Sequence, residues 1–238
     1  MSRISRANNQ IRPLRFELNY TKYAAGSVLV SSGYTRVICT ATIENKVPPH
    51  RSGSGLGWVS AEYAMLPSAT HSRNKRDSAG KVNARALEIQ RLIGRALRSC
   101  IDFKLLGERQ ILIDCDVIQA DGGTRVASIN GGFVALSLAI QQLLAAGVIT
   151  ENPLKFHLAA ISVGVVGDEV LLDLDYNEDS SCESDVNIIL NEANDIIEIQ
   201  GSAEGVVIKQ AQLIQMLDMA KLATQQIIIE QKRVLLAN

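Results

Sequence analysis

Two short segments hold the residues best able to do chemistry. The first is Asp121-Gly122-Gly123-Thr124-Arg125, set between an alternating apolar run and a long apolar stretch. Adjacent glycines let backbone N–H groups come close to a ligand, and the helix they open offers unpaired N–H groups and the positive end of its dipole. Thr124 can add a hydroxyl, and Arg125 an always charged fork that matches phosphate oxygens. The unit suits an inorganic anion, although the same residues serve any tight turn entering a helix. Arg85 stands where a basic stretch changes to a helical pattern, so it could point at an anion near that helix start. The second segment runs from Asp173 to Asp185 and packs six carboxylates into thirteen positions without a histidine. Oxygen-only donors suit Mg²⁺ or Mn²⁺ rather than zinc, and a carboxyl of raised pKa can act as a general acid. Asp173 and Asp175 would share one face of a strand leading into an acidic loop, which could equally be a solvated loop with no ligand.

Charge separates along the chain even though the net charge is only −1. From Arg73 to Arg98 there are eight basic residues against two acids, Asp77 and Glu88, while Asp168 to Glu198 holds eleven acids and no Lys or Arg. Arg3, Arg6, Arg12 and Arg15 form a third, basic cluster. Such segregation fits a protein that handles an anion with one segment and a cation with another; two solvated faces of opposite sign fit it as well. Arg91, Arg95 and Arg98, at i, i+4 and i+7, read as the solvated stripe of an amphipathic helix.

The elements that must position these groups follow from periodicity. Residues 27–31 and 36–43, rich in β-branched side chains, are strands joined at Ser32-Gly33. Residues 68–84, with Gly80, read as an exposed basic loop, and a helix begins at Arg85 with Leu87, Ile93, Leu97 and Ile101 on its stripe. Gln110–Gln119 is a strand with Ile111, Ile113, Cys115 and Val117 on one face, and Val126–Ala146 is an apolar helix closed by Gly147. Residues 158–166 and 170–176 form a hairpin around Gly167-Asp168, and a further strand lies near Ile196–Gln200. A last helix, Ala211 to Leu235, turns Leu213, Ile214, Leu217, Ala220 and Leu222 to a core. The expected fold class is α+β, a two-layer α/β sandwich. No linker or repeat divides the chain, so residues 1–238 read as a single domain.

Composition narrows the setting. An apolar fraction of 47% and a charged fraction of 21% belong to an ordinary globular protein. The first residues carry no signal-like apolar core, and residues 133–149 are too short and too broken by Gln141-Gln142 to span a bilayer, so the expectation is a cytoplasmic protein with no membrane partner. Cys39, Cys100, Cys115 and Cys182 lie far apart and read as buried or incidental thiols. The glycines at 53, 55 and 57 lack dinucleotide-loop spacing, the three histidines are isolated, and Trp58 reads as core or interface.

Several longer blocks resemble the ribonuclease PH family from end to end. They include Arg12-Pro13-Leu14-Arg15, Gly55-Leu56-Gly57-Trp58-Val59-Ser60-Ala61-Glu62-Tyr63, Glu88-Ile89-Gln90-Arg91-Leu92-Ile93-Gly94-Arg95, Asp114-Cys115-Asp116-Val117-Ile118-Gln119-Ala120-Asp121-Gly122-Gly123-Thr124-Arg125, Leu172-Asp173-Leu174-Asp175-Tyr176 and Gln200-Gly201-Ser202-Ala203-Glu204-Gly205. The resemblance implies a fold like ribosomal protein S5 domain 2 and a homohexamer built as a trimer of dimers. It implies phosphate-dependent 3′→5′ exoribonuclease activity that trims tRNA precursor ends and releases nucleoside diphosphates. Inorganic phosphate, the co-substrate, would be held by Arg85, Gly123, Thr124 and Arg125. By similarity to polynucleotide phosphorylase and the exosome, Asp179 and Asp185 match the carboxylate pair assigned to metal binding, Mg²⁺ or Mn²⁺, and to acid catalysis. The basic loop around Arg73, Lys75 and Arg76 would touch RNA. Where the family usually carries a Gly-Gly pair before the phosphate arginine, this chain has Asn83-Ala84 in a loop one residue shorter, and Glu183 replaces a common Asp. The rival reading is a non-catalytic RNA-binding ring subunit; it would be expected to lose some of Arg85, Arg125, Asp179 and Asp185, and all four are present.

Overall fold

The computed structural model describes Arg3 and residues 6–76, 83–203 and 206–237. Asp77, Gly80 and Lys81 of the basic stretch, and Glu204-Gly205 of the last resembling block, lie outside the described residues.

The first half of the chain builds a five-stranded sheet in the order β1-β2-β3-β5-β4. Its strands are β1 (Leu14–Leu18), β2 (Gly26–Ser32), β3 (Thr35–Glu44), β4 (Trp58–Met65) and β5 (Gln110–Gln119). β2 and β3 turn tightly at Gly33-Tyr34, where Gly33 has φ 57°, and β5 runs antiparallel to β3 but parallel to β4. The expected face of β5 is the buried one: Ile111, Ile113, Cys115 and Val117 are all in the core. Two helices cover that face, α1 (Ala84–Ser99) on β4 and α3 (Thr124–Ala145) on β2, β3 and β5, with the short α2 (Phe103–Leu106) between them in sequence. α3 lies close to the sheet because of Gly131, whose added Cβ would sit 2.6 Å from Cys39 Sγ and 2.8 Å from Val30 Cγ1. This helix is long and apolar enough to cross a membrane, yet 89% of its apolar window is buried within the fold.

The second half forms an antiparallel sheet, order β7-β6-β8-β9, from β6 (Leu158–Val166), β7 (Glu169–Leu172), β8 (Ser184–Asn191) and β9 (Ile196–Ala203). β7 pairs only with the end of β6, which leaves Ala160 without a strand partner on that side. Asn130 of α3 fills the gap: its Nδ2 donates to Ala160 O at 2.9 Å and its Oδ1 accepts from Ala160 N at 2.8 Å. A side-chain amide thus stands in for a strand, satisfies two buried backbone groups and docks α3 onto the second sheet. The remaining helices are α4 (Tyr176–Ser181) and α5 (Gln210–Leu236), the latter on β6, β7 and β8. Buried side chains of both sheets and of α1, α3 and α5 form one continuous hydrophobic cluster.

The structure corrects the sequence reading in several places. The strand expected to reach Tyr176 stops at Leu172, and Asp173 takes φ 55° with its carboxylate buried. Asp175 therefore shares no strand face with it. Instead Asp175 caps α4 by accepting from Glu178 N at 3.0 Å, so the expected acidic loop is a short helix. On α5, Leu222 and Ile214 are exposed, and the core face is Met216, Ala220, Ala223, Ile227 and Ile228. Strands β1, β4 and β8 carried no separate prediction; β8 hides its period because Asp185 and Asn187 break the apolar run.

Candidate active site

A cavity of about 870 Å³ opens where the two halves meet, large enough for a small-molecule ligand or a chain end. One wall is the Asp121–Arg125 turn. Gly122 and Gly123 have φ 71° and 64°, a left-handed pair that brings the chain round and starts α3 at Thr124. The turn lies hard against the acidic segment, since a Cβ on Gly122 would be 2.4 Å from Leu174 O and 2.6 Å from Asp175 C. Thr124 is buried and its hydroxyl lies 2.8 Å from the Tyr63 hydroxyl; burial pushes the Tyr63 phenol up, so it stays neutral. Arg125 Nη1 donates to Glu88 Oε1 at 3.1 Å and to Gln200 Oε1 at 3.2 Å, which holds its guanidinium between α1 and β9 while the residue lines the cavity.

Arg85, in the first turn of α1, lines the same cavity. The Asn83-Ala84 departure explains how that helix begins: Asn83 is the N-cap, and its Oδ1 accepts from Arg85 N at 2.9 Å. A cap of this type is worth about 1 kcal/mol over alanine and ties the backbone of Arg85 to the helix start.

The opposite wall is acidic. Asp179 projects from α4, and Asp185 and Asn187 alternate along β8, opposite Gly164 and Ser162 of β6. Burial raises the Asp179 carboxyl, the nearby Asp185 carboxylate raises it further, and Arg85, Arg125 and Arg12 pull the other way. Two carboxylates that repel each other at the edge of a cavity are relieved by a proton or a cation between them. No group of three or more metal-ligating His, Cys, Asp or Glu side chains occurs among the described residues. An all-oxygen pair open to the cavity still fits Mg²⁺, which keeps waters and substrate phosphates in its shell.

Of the residues expected from sequence, Arg85, Gly123, Thr124, Arg125, Asp179, Asp185, Lys75 and Arg76 all line this cavity. Arg73 does not; it is exposed and directly precedes Asn74, which does. Tyr63, Ser162 and Asn187 had not been read as site residues. Tyr63 was legible in principle, because two-residue alternation from Val59 and Ala61 places it on the inner face of β4. Ser162 and Asn187 come from strands of the second half and carry no local signal. The arginine stripe of α1 is only partly solvated: Arg95 pairs with Glu198, with Nη2···Oε1 2.5 Å, and Arg98 lies 4.8 Å over the ring of Trp58.

Two family models cover most of the chain: domain 1 of the 3′ exoribonuclease family matches residues 10–140, and domain 2 matches residues 158–223. The chain belongs to the 3′ exoribonuclease family. Among solved structures, this family member is similar to rice (Oryza sativa) Rrp46, with 19% identity, TM-score 0.79 and coverage of 97% of this chain and 98% of that one. A chain of the Archaeoglobus fulgidus exosome with RNA bound to the active site matches at 18% identity and TM-score 0.79, covering 94% of this chain and 90% of that one. An archaeal exosome core chain matches at 17% identity and TM-score 0.75, covering 95% and 89%. The fold is thus the ribosomal protein S5 domain 2-like one expected for ribonuclease PH relatives.

Proposed function

We propose that this family member is a phosphate-dependent exoribonuclease that shortens RNA, tRNA precursors in particular, from the 3′ end. The observation that carries the reading is the convergence on one cavity of Arg85, the Gly123-Thr124-Arg125 turn and the Asp179/Asp185 pair. An inorganic phosphate seated on the turn and the two arginines would attack the terminal phosphodiester. Its oxygen forms a new P–O bond, the bond to the 3′ oxygen of the preceding nucleotide breaks, and that oxygen takes up a proton. The terminal nucleotide leaves as a nucleoside diphosphate. Attack by one phosphate on another brings anions together, so cationic forks and helix N–H groups aimed at the nucleophile contribute through both position and charge.

Asp179 and Asp185 would hold Mg²⁺ or Mn²⁺, which when bound neutralises charge developing on the phosphoryl oxygens. A carboxyl held above its ordinary range, as burial and Asp185 hold Asp179, would also suit supply of the proton to the departing 3′ oxygen. Lys75 and Arg76 on the cavity wall, with Arg73 beyond it, would follow the RNA backbone. The resemblance to exosome chains further supports a ring assembly; for this chain we propose a homohexamer, a trimer of dimers, in the cytoplasm.

The test is to incubate the protein with a short RNA, with and without inorganic phosphate, and identify the released nucleotide. Diphosphate products that depend on phosphate are expected, and Asp179→Asn or Asp185→Asn, or a chelator, should nearly abolish them. Monophosphate products would mark a hydrolase. Binding of RNA with no shortening under any condition would mark a non-catalytic ring subunit.

A further inference from the structure

The N-terminal arginine cluster, which the charge pattern suggested for an anion, meets carboxylates instead. Arg12 Nη2 donates to Asp173 Oδ1 at 2.6 Å, its backbone N donates to Asp173 Oδ2 at 2.7 Å, and its Nη1 reaches the carbonyl of Asp121 at the head of the anion turn. Arg3 grips Glu178 with two prongs, Nε to Oε1 at 2.6 Å and Nη2 to Oε2 at 2.7 Å, and also donates to Leu172 O. Arg6 Nη2 adds a third bond to Glu178 Oε2 at 3.0 Å and another to the carbonyl of Asp173. Only Arg15 is left on the surface, 71% exposed beside Glu17.

Glu178 is the neighbour of Asp179 on α4, and α4 has no apolar anchor to hold it. The helix is six residues long and has no buried residue, so it lacks an apolar face to dock. A helix of that length is not stable by itself in water. Tyr176 N donates to Asp121 Oδ1 at 3.3 Å and its ring meets His71, but among the described residues the shortest tertiary bonds of α4 are those of the Glu178 carboxylate, whose Oε2 also accepts from the N-cap amide of Asp175 at 3.0 Å. Both carboxylate oxygens are therefore engaged at once by two arginine side chains from the other end of the chain and by the helix's own cap. Charge-assisted, bidentate contacts fix direction as well as distance. In a helix, successive side chains are turned by about a quarter of a circle or slightly more, so clamping Glu178 on one side orients Asp179 on the next.

We propose that Arg3 and Arg6 are positioning residues, which through Glu178 hold α4 so that Asp179 faces the anion turn. Neither touches the cavity; they act by setting where the acidic wall stands relative to Arg85 and Arg125. The proposal rests on the phosphorolytic reading for its activity readout but not for its structural one, so the two can fail separately.

The experiment uses the full chain with Arg3→Gln and Arg6→Gln together. With short RNA and varied phosphate, kcat should fall by roughly tenfold or more, while KM for phosphate stays within about twofold because its own contacts are intact. Glu178→Gln should reproduce the loss, and adding it to the double variant should cost little more, since all three changes break the same clamp. Hydrogen exchange without substrate should show faster opening of the amides at 178–182 and unchanged protection in the first turn of α3. If the glutamine variant does not fold, Arg3→Lys with Arg6→Lys carries the same comparison, keeping the charge but losing the fork. Wild-type kcat with wild-type exchange at α4 overturns the proposal. So does a loss shared equally by kcat, KM and melting temperature, which would mean a general contribution to folding. If the unmutated protein shortens no RNA, the function proposed above fails, and the exchange measurement alone decides the clamp.

Discussion

Gly122 is where the anion turn and the acidic wall press on each other, and replacing it with alanine separates two costs. The first is backbone strain. At φ 71° an alanine sits in the left-handed region, which disfavours it by about 1–2 kcal/mol. The second is steric. The new Cβ would lie 2.4 Å from Leu174 O and 2.6 Å from Asp175 C, both main-chain atoms with no rotamer in which to retreat. Reaching ordinary contact requires the turn and the Leu174-Asp175 segment to part by about 1 Å, and forced repacking of this kind typically adds about 1–3 kcal/mol. Asp175 is the N-cap of α4, so the parting moves Asp179 away from Arg125. A misplacement on the order of 1 Å can cost a reaction about 100-fold. Gly147→Ala is the control, because Gly147 has φ 64° but nothing within 4 Å of its added Cβ, so it carries the strain alone. Urea or thermal melts should then show Gly147→Ala down by about 1–2 kcal/mol with unchanged turnover. Gly122→Ala should be down by about 2–5 kcal/mol, with phosphate-dependent RNA shortening reduced by about two orders of magnitude. If the two variants behave alike in melt and in turnover, the close contact does not set the geometry of the site and the reasoning is refuted.

Three further outcomes are expected. Arg85→Ala and Arg125→Ala should each raise KM for phosphate by roughly ten- to hundredfold, from a charge-assisted contact of about 1.5–3 kcal/mol, with RNA affinity in the absence of phosphate little changed; loss of RNA binding with normal phosphate use would reassign the turn to the RNA backbone. Replacing Arg73, Lys75 and Arg76 together should weaken tRNA binding and flatten its salt dependence while sparing turnover on a very short RNA; equal loss on both substrates would show that the loop supports the site itself. Burial lowers the His157 pKa and the Lys232 charge lowers it further against a smaller opposing effect of Glu192, so the unfolded chain binds the extra proton first. Stability should therefore fall as pH drops below the ordinary value of 6.5, and urea melts of His157→Phe, which keeps a ring against Phe133, should lose part of that slope between about pH 7.5 and 5.5; an identical slope in both proteins would count against it.

Elements whose pattern is local were legible in the chain before any packing was known. Alternation in Gln110–Gln119 located β5 and its buried face, and Gly122-Gly123 ahead of an apolar run located the turn and α3. The resemblance named Arg85, Thr124, Arg125, Asp179 and Asp185 as candidate site residues, and all five line one cavity. What those charges face was set by long-range packing. Arg3, Arg6 and Arg12 read as a basic cluster fit for an anion or for solvent, yet they meet carboxylates more than 100 positions away, and no local pattern records a partner that distant. For the same reason Asp173 and Asp175 read as companions on one strand face, although Asp173 is buried against Arg12 and Asp175 caps a helix. Composition fixes how many charges there are and hydrophobic period fixes which face is inward. Which opposite charges are taken out of water together depends on where the second sheet docks against the first.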